Sequence, residues 1–145
     1  MFAIEIDIDR PSEAVFGYLT QVENTPKWYS AVEKADKLIS APVSTGTCYR
    51  LLRQLPTGLA INEVEVTEFV PNSVFTLASR SGPTPFIYRY QLSPQGKNTR
   101  LRLEGEIGGD GVGRAFALVA PFGDRLFERG MRANLAALKQ LLESP

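Results

Sequence analysis

Phe2-Ala3-Ile4-Glu5-Ile6-Asp7-Ile8-Asp9-Arg10-Pro11-Ser12-Glu13-Ala14-Val15-Phe16 decides how this chain is read. Phe2, Ile4, Ile6 and Ile8 alternate with polar or small residues, a period of two that marks a strand buried on one face. Arg10-Pro11-Ser12-Glu13 then changes the rhythm. Proline sits comfortably at a helix start, where its missing N–H costs nothing. Val15, Tyr18, Leu19 and Val22 keep i, i+3, i+4, i+7 spacing, so a short helix with one apolar face follows. Asn24-Thr25-Pro26 breaks that helix, and Lys27-Trp28-Tyr29 reads as a turn or a second small helix.

Downstream the punctuation becomes dense. Pro42–Gly46, Pro56-Thr57-Gly58, Pro71-Asn72-Ser73, Ser81-Gly82-Pro83 and Pro94-Gln95-Gly96 each have turn composition. They separate six expected strands, near 32–40, 46–54, 59–69, 74–80, 84–92 and 99–107. Spacing this short favours an antiparallel meander over parallel units with helical crossovers. Phe86, Tyr88, Tyr90 and Leu92 alternate cleanly, as do Leu101, Leu103 and Ile107, with Arg100, Arg102, Glu104 and Glu106 on the water side. Val64 and Val66 between Glu63 and Glu65 repeat the pattern and turn Asn62 inward with them.

A glycine-rich joint, Gly108–Gly113, leads into a helical pattern from about 115 to 142. Phe116, Ala120, Phe127, Met131, Leu138 and Leu141 cluster on one side at ~100° per residue. Arg125, Glu128, Arg129, Arg132, Lys139 and Glu143 fall on the other. Pro121 is expected to kink or divide this helix. The order strand, helix, six strands, helix predicts an α+β fold in one domain spanning 1–145.

Composition bounds the chemistry. Of 145 residues, 43% are hydrophobic and 22% charged, as in ordinary globular domains. Sixteen basic and sixteen acidic residues cancel, so the electrostatic signature of a nucleic-acid binder is missing. The lone Cys48 cannot form an internal disulfide, which predicts a reducing, cytoplasmic setting. The opening residues lack the basic and apolar regions of a signal peptide. The apolar run 115–122 is too short to span a membrane, which takes roughly 20 residues. The chain has no histidine, excluding Ser-His-Asp and Cys-His catalysis and His-based metal sites. No metal or other cofactor is expected.

The quoted opening, from Ile4 to Phe16, resembles the first strand and helix of the START/Bet v 1-like superfamily. Trp28 after a short helix, Gly46-Thr47 opening a strand and Glu68-Phe69-Val70-Pro71 closing one resemble its polyketide cyclase/dehydrase branch. The resemblance covers nearly the whole chain. It implies a helix-grip fold: a curved seven-stranded antiparallel sheet wrapped around a long C-terminal helix, with an apolar cavity between. Members include lipid and hormone binders and aromatic-ring cyclases, so the fold alone does not choose a function.

Several residues are candidates for such a cavity. Phe86, Tyr88 and Tyr90, with Tyr49, Phe75 and Leu77 on neighbouring strands, read either as packed core or as an aromatic pocket wall with phenolic handles. Leu103, Phe127 and Met131 would complete the apolar lining. Gly123 and Gly130 sit on the expected inward side of the helix, where each costs ~1 kcal/mol against alanine. That cost points to close packing or to room for a ligand. Asn134, on the same face, needs hydrogen-bond partners, either in the sheet or on a ligand. Asn62 shares the inward parity of Val64, and Trp28 with Tyr29 reads as pocket rim or core plug. Glu68, if buried, would have a raised pKa and could carry a proton; at a strand end it lies in water. The row Arg125, Arg129, Arg132 and Lys139 reads as a solvated face, with Glu128 placed to pair with Arg132.

Three functions follow. The first is binding or transport of a hydrophobic small molecule, a lipid, isoprenoid or aromatic metabolite. The second is a cyclase/dehydrase-type enzyme in which a cavity Tyr, Asn or Glu assists proton transfer. The third is a module whose protein or membrane partner docks at the pocket mouth near 115–122. Buried, convergent polar groups would favour the enzyme, an apolar interior the carrier. The oligomeric state is not legible.

Overall fold

The computed structural model describes residues 1–55, 58–108 and 114–144, except for the side chains of 114–124 and 126. The elements are β1 (Phe2–Ile8), α1 (Ser12–Leu19), a 3-10 helix (Val22–Lys27), β2 (Val32–Lys37), β3 (Cys48–Leu55), β4 (Gly58–Val70), β5 (Val74–Ser81), β6 (Phe86–Gln95), β7 (Asn98–Ile107) and α2 (Arg114–Glu143). All seven strands join one antiparallel sheet in the order β1-β7-β6-β5-β4-β3-β2. The meander predicted from the turn spacing is therefore present, with β1 returning to pair with the last strand. That return leaves β1 and β2 on opposite edges, so α1 and the 3-10 helix carry the chain across the sheet.

Strand register sorts the side chains onto two faces. On the concave face Phe2 lies opposite Gly105, Ile4 opposite Leu103 and Ile6 opposite Leu101. Tyr90 is opposite Leu103, and Phe75 is opposite Tyr90. The convex face is ionic. Arg100 pairs with its cross-strand partner Asp7 at 3.0 Å and Arg102 with Glu5 at 3.0 Å. These pairs are exposed and contribute little to stability, but they fix which face meets water.

Gly105 has a steric role. A Cβ there would lie 2.4 Å from Phe2 Cζ, so the Phe2 ring covers a backbone position that cannot carry a side chain without displacing it.

Helix α2 packs on β1 and β7. Its inward seam is Met131, Leu135, Leu138 and Leu142, with Asn134 beside it. This corrects the expected face by about one residue. Leu141 is 43% exposed, because it lies ~100° around the helix from Leu142. The helix also runs from Arg114 to Glu143 as one element and is not divided at Pro121. A proline removes a single N–H from the ladder, and the turns on either side of it remain helical. α1 ends at Leu19, earlier than expected, and Val22 and Asn24-Thr25-Pro26 belong to the separate 3-10 helix, whose i→i+3 bonding suits so short a segment. Of the expected turns and joints, Pro56-Thr57 and most of Gly108–Gly113 lie outside the described residues.

Candidate functional site

The aromatic residues of β6 form the centre of the concave face. The Phe86 and Tyr88 rings stack with centroids 4.8 Å apart. Tyr90 meets Phe75 at 6.4 Å and Trp28 edge-on at 6.5 Å. Tyr88 faces Tyr29 at 6.5 Å, and the Tyr29 hydroxyl donates to that of Tyr88 over 3.4 Å. Trp28 and Tyr29 are both buried, delivered across the sheet by the 3-10 helix that precedes them. Desolvation raises the pKa of Tyr29, Tyr88 and Tyr90. At neutral pH these phenols are protonated donors and not bases.

Asn134 holds this arrangement from the helix side. Its Oδ1 accepts from the backbone N–H of Ser30 at 3.1 Å, immediately after Trp28 and Tyr29. Its Nδ2 points to Met131 Sδ at 3.5 Å. Asn134 is thus a positioning residue for the segment that carries both rings.

A polar group lies at the end of the face formed by β3, β4 and the β5–β6 loop. Arg53 is 2% exposed and Asn62 fully buried. Arg53 Nη1 donates to Asn62 Oδ1 at 3.1 Å and to Thr84 Oγ1 at 2.9 Å. The Asn62 amide in turn donates to Ser81 O at 3.2 Å and Pro83 O at 2.8 Å. The guanidinium also stands over the Phe86 ring, 5.1 Å from its centroid, a favourable cation–π placement. Its charge opposes the desolvation that raises the pKa of Tyr29 and Tyr88.

Tyr49 stands four residues before Arg53 on the same face of β3. It is fully buried, and its buried hydroxyl has no hydrogen-bond partner among the described residues. Burial, reinforced by the Glu23 carboxylate, pushes it up to about 12.

The structure thus brings Trp28, Phe75, Phe86, Tyr88, Tyr90 and Leu103 together, with Asn62 at one end. Phe127 is half-buried and packs against the same core, and Met131 lies inside it. Gly130 departs from the expected arrangement. It lies on the exposed side of α2, and an added Cβ would meet nothing within 4 Å. The buried seam runs through 131, 135 and 138, which turns position 130 away from the sheet. Gly123 lies outside the described side chains.

Glu68 shares strand parity with Val66 but lies in water near the end of β4, the second of the two places open to it. A register shift between Val66 and Glu68 turns it to the convex face. There it accepts from Thr76 Oγ1 and from Arg89 Nε, each at 2.9 Å. These bonds lower its pKa, so it does not serve as a buried proton carrier. Glu128 does pair with Arg132, at 3.3 Å. Among the described residues no group of three or more acidic or cysteine side chains gathers where it could hold a metal ion.

Arg53 was not singled out from the sequence. Its signal was parity: Tyr49, Leu51, Arg53 and Leu55 alternate as one inward set, and a charged residue within such a set is the informative exception.

The chain belongs to the family described as polyketide cyclase / dehydrase and lipid transport, whose model matches residues 2–143. No curated protein matches it by sequence. Among solved structures it is similar to the Zhui aromatase/cyclase from Streptomyces sp. R1128, with TM-score 0.80 and 14% identity over 98% of this chain and 92% of that one. A START superfamily protein from Mycobacterium smegmatis gives TM-score 0.75 and 14% identity, covering 98% and 96%. Ara h 8.0201 gives 0.74 and 10%, covering 99% and 97%. Identities this low establish the helix-grip fold alone. Among the described residues no helix is long and apolar enough to cross a membrane.

Proposed function

We propose that this protein binds a hydrophobic small molecule, a lipid, isoprenoid or aromatic metabolite, between the concave face of the sheet and α2. The observation that carries this reading is the convergence of Phe75, Phe86, Tyr88, Tyr90 and Trp28 on one face, bordered by the buried Arg53–Asn62 group. Aromatic walls with a few placed polar groups are the usual make-up of small-molecule sites. Family membership supports the same reading, because cyclases and lipid carriers both hold apolar molecules. The lone Cys48 supports a cytoplasmic setting.

A cyclase/dehydrase activity is the second reading, favoured by one observation. A guanidinium and protonated phenols share a desolvated site, where they would stabilise negative charge developing on a carbonyl oxygen. Native mass spectrometry of freshly purified protein, with Nile red titration, tests the first reading. A co-purifying small molecule or saturable dye binding is expected; neither appearing would sink it. Turnover of a poly-β-keto thioester mimic, lost in Tyr88→Phe, would favour the enzyme.

A further inference from the structure

We infer that the guanidinium of Arg53 receives a carboxylate carried by the bound ligand, an assignment that rests on the small-molecule reading above. Among the described residues Arg53 is the one buried side chain with a formal charge. A guanidinium cannot shed its proton to escape burial. Its described hydrogen-bond partners are all neutral: Asn62 Oδ1, Thr84 Oγ1, the Thr84 carbonyl at 3.4 Å and the Tyr29 hydroxyl. No described carboxylate forms an ion pair with it, although carboxylates pair with other cations among the described residues, as Asp7 does with Arg100 and Glu5 with Arg102.

The bonds to Asn62 and Thr84 all leave from Nη1, and the Tyr29 hydroxyl is a further neutral partner. Nε and Nη2, which carry three more donors, bond to no carboxylate or carbonyl among the described residues. A buried cation whose described partners are all neutral is under-compensated by them. A carboxylate supplies both the missing charge and two coplanar acceptors matched to the guanidinium fork.

The charge count selects the ligand class. One buried cation balances a monoanion, whereas a phosphate dianion would retain excess negative charge in a desolvated site. Tyr29 and Tyr88, protonated at neutral pH, stand close enough for the Arg53 charge to act on their hydroxyls. The Phe86 ring below the guanidinium begins the apolar wall for the body of the molecule. The ligand is therefore an apolar, ring-compatible carboxylic acid.

The test compares 2-naphthoate with its neutral methyl ester by Nile red displacement at pH 7. Wild type is expected to bind the acid at least tenfold more tightly. In Arg53→Met the preference should vanish while the ester still binds. Arg53→Lys, which keeps the charge without the fork, should retain only part of it. Equal binding of acid and ester by wild type overturns the carboxylate assignment and leaves the small-molecule reading intact, with no variant needed. A preference that persists in full in Arg53→Met also overturns it. If Arg53→Met does not fold, Arg53→Lys and the wild-type comparison decide, and full preference in Arg53→Lys counts against the fork. If Nile red and both naphthalene compounds fail to bind wild type, the small-molecule reading itself falls.

Discussion

Asn62 and Arg53 face each other diagonally across β3 and β4, with Arg53 Nη1 donating to Asn62 Oδ1 at 3.1 Å. The same Asn62 side chain donates to two carbonyls of the β5–β6 loop, at Ser81 and Pro83. One buried amide therefore couples the buried cation to the loop that frames it. Neither partner is easily replaced, because both are desolvated.

Asn62→Ala should cost ~1–3 kcal/mol, the penalty of leaving buried polar groups unpaired. Urea unfolding measures it. A loss below about 0.5 kcal/mol would mean that water replaces the amide and the coupling is weak.

Gly82 is where the loop comes closest. Its φ of +101° disfavours any side chain, and a Cβ would lie 2.4 Å from Ile61 O and 2.7 Å from Asn62 Nδ2. Gly82→Ala combines backbone strain with overpacking and should cost ~1–3 kcal/mol or more. Thermal unfolding should show a clear drop in Tm; an unchanged Tm would contradict the close approach.

Gly130→Leu should behave oppositely. With open space around position 130, leucine recovers nearly the full ~1 kcal/mol helix penalty of glycine, and the protein should hold or gain stability. A sharp fall in Tm would place position 130 in a packed contact. Nile red affinity measured on the same variant reports whether the new side chain reaches the proposed ligand site.

Tyr49 links stability to alkaline pH. Its folded-state pKa of about 12 exceeds the ~10 of an unfolded tyrosine. The protonated form is favoured by folding, so this contribution is full below pH ~10 and is lost as pH rises through about 12. Tyr29, Tyr88 and Tyr90 shift in the same direction. Urea midpoints should therefore stay level to pH ~10 and then fall. In Tyr49→Phe the fall should be shallower, with stability at pH 7 equal or higher, since the lost hydroxyl has no partner among the described residues. A Tyr49→Phe protein markedly less stable at pH 7 would show that the hydroxyl has a partner in solution.

The sequence determined the elements and which strand residues face inward. Alternation in Phe86/Tyr88/Tyr90/Leu92 and Leu101/Leu103/Ile107 is local information: successive side chains on a strand point to opposite faces whatever lies beyond. Turn composition likewise set the meander, and inward parity placed Asn62. Tertiary structure decided what parity leaves open. The shift between Val66 and Glu68 moved Glu68 to the convex face, and a small rotation of α2 exposed Gly130 and Leu141 while burying Leu142. Helical periodicity fixes relative angles but not which edge of an apolar stripe the sheet covers. The pairing of Arg53 with Thr84 across 31 residues, and of Tyr29 with Tyr88 across 59, exists only once distant segments are folded together. No local spacing encodes it, because burial and hydrogen bonding at that site are supplied by elements far apart in the chain.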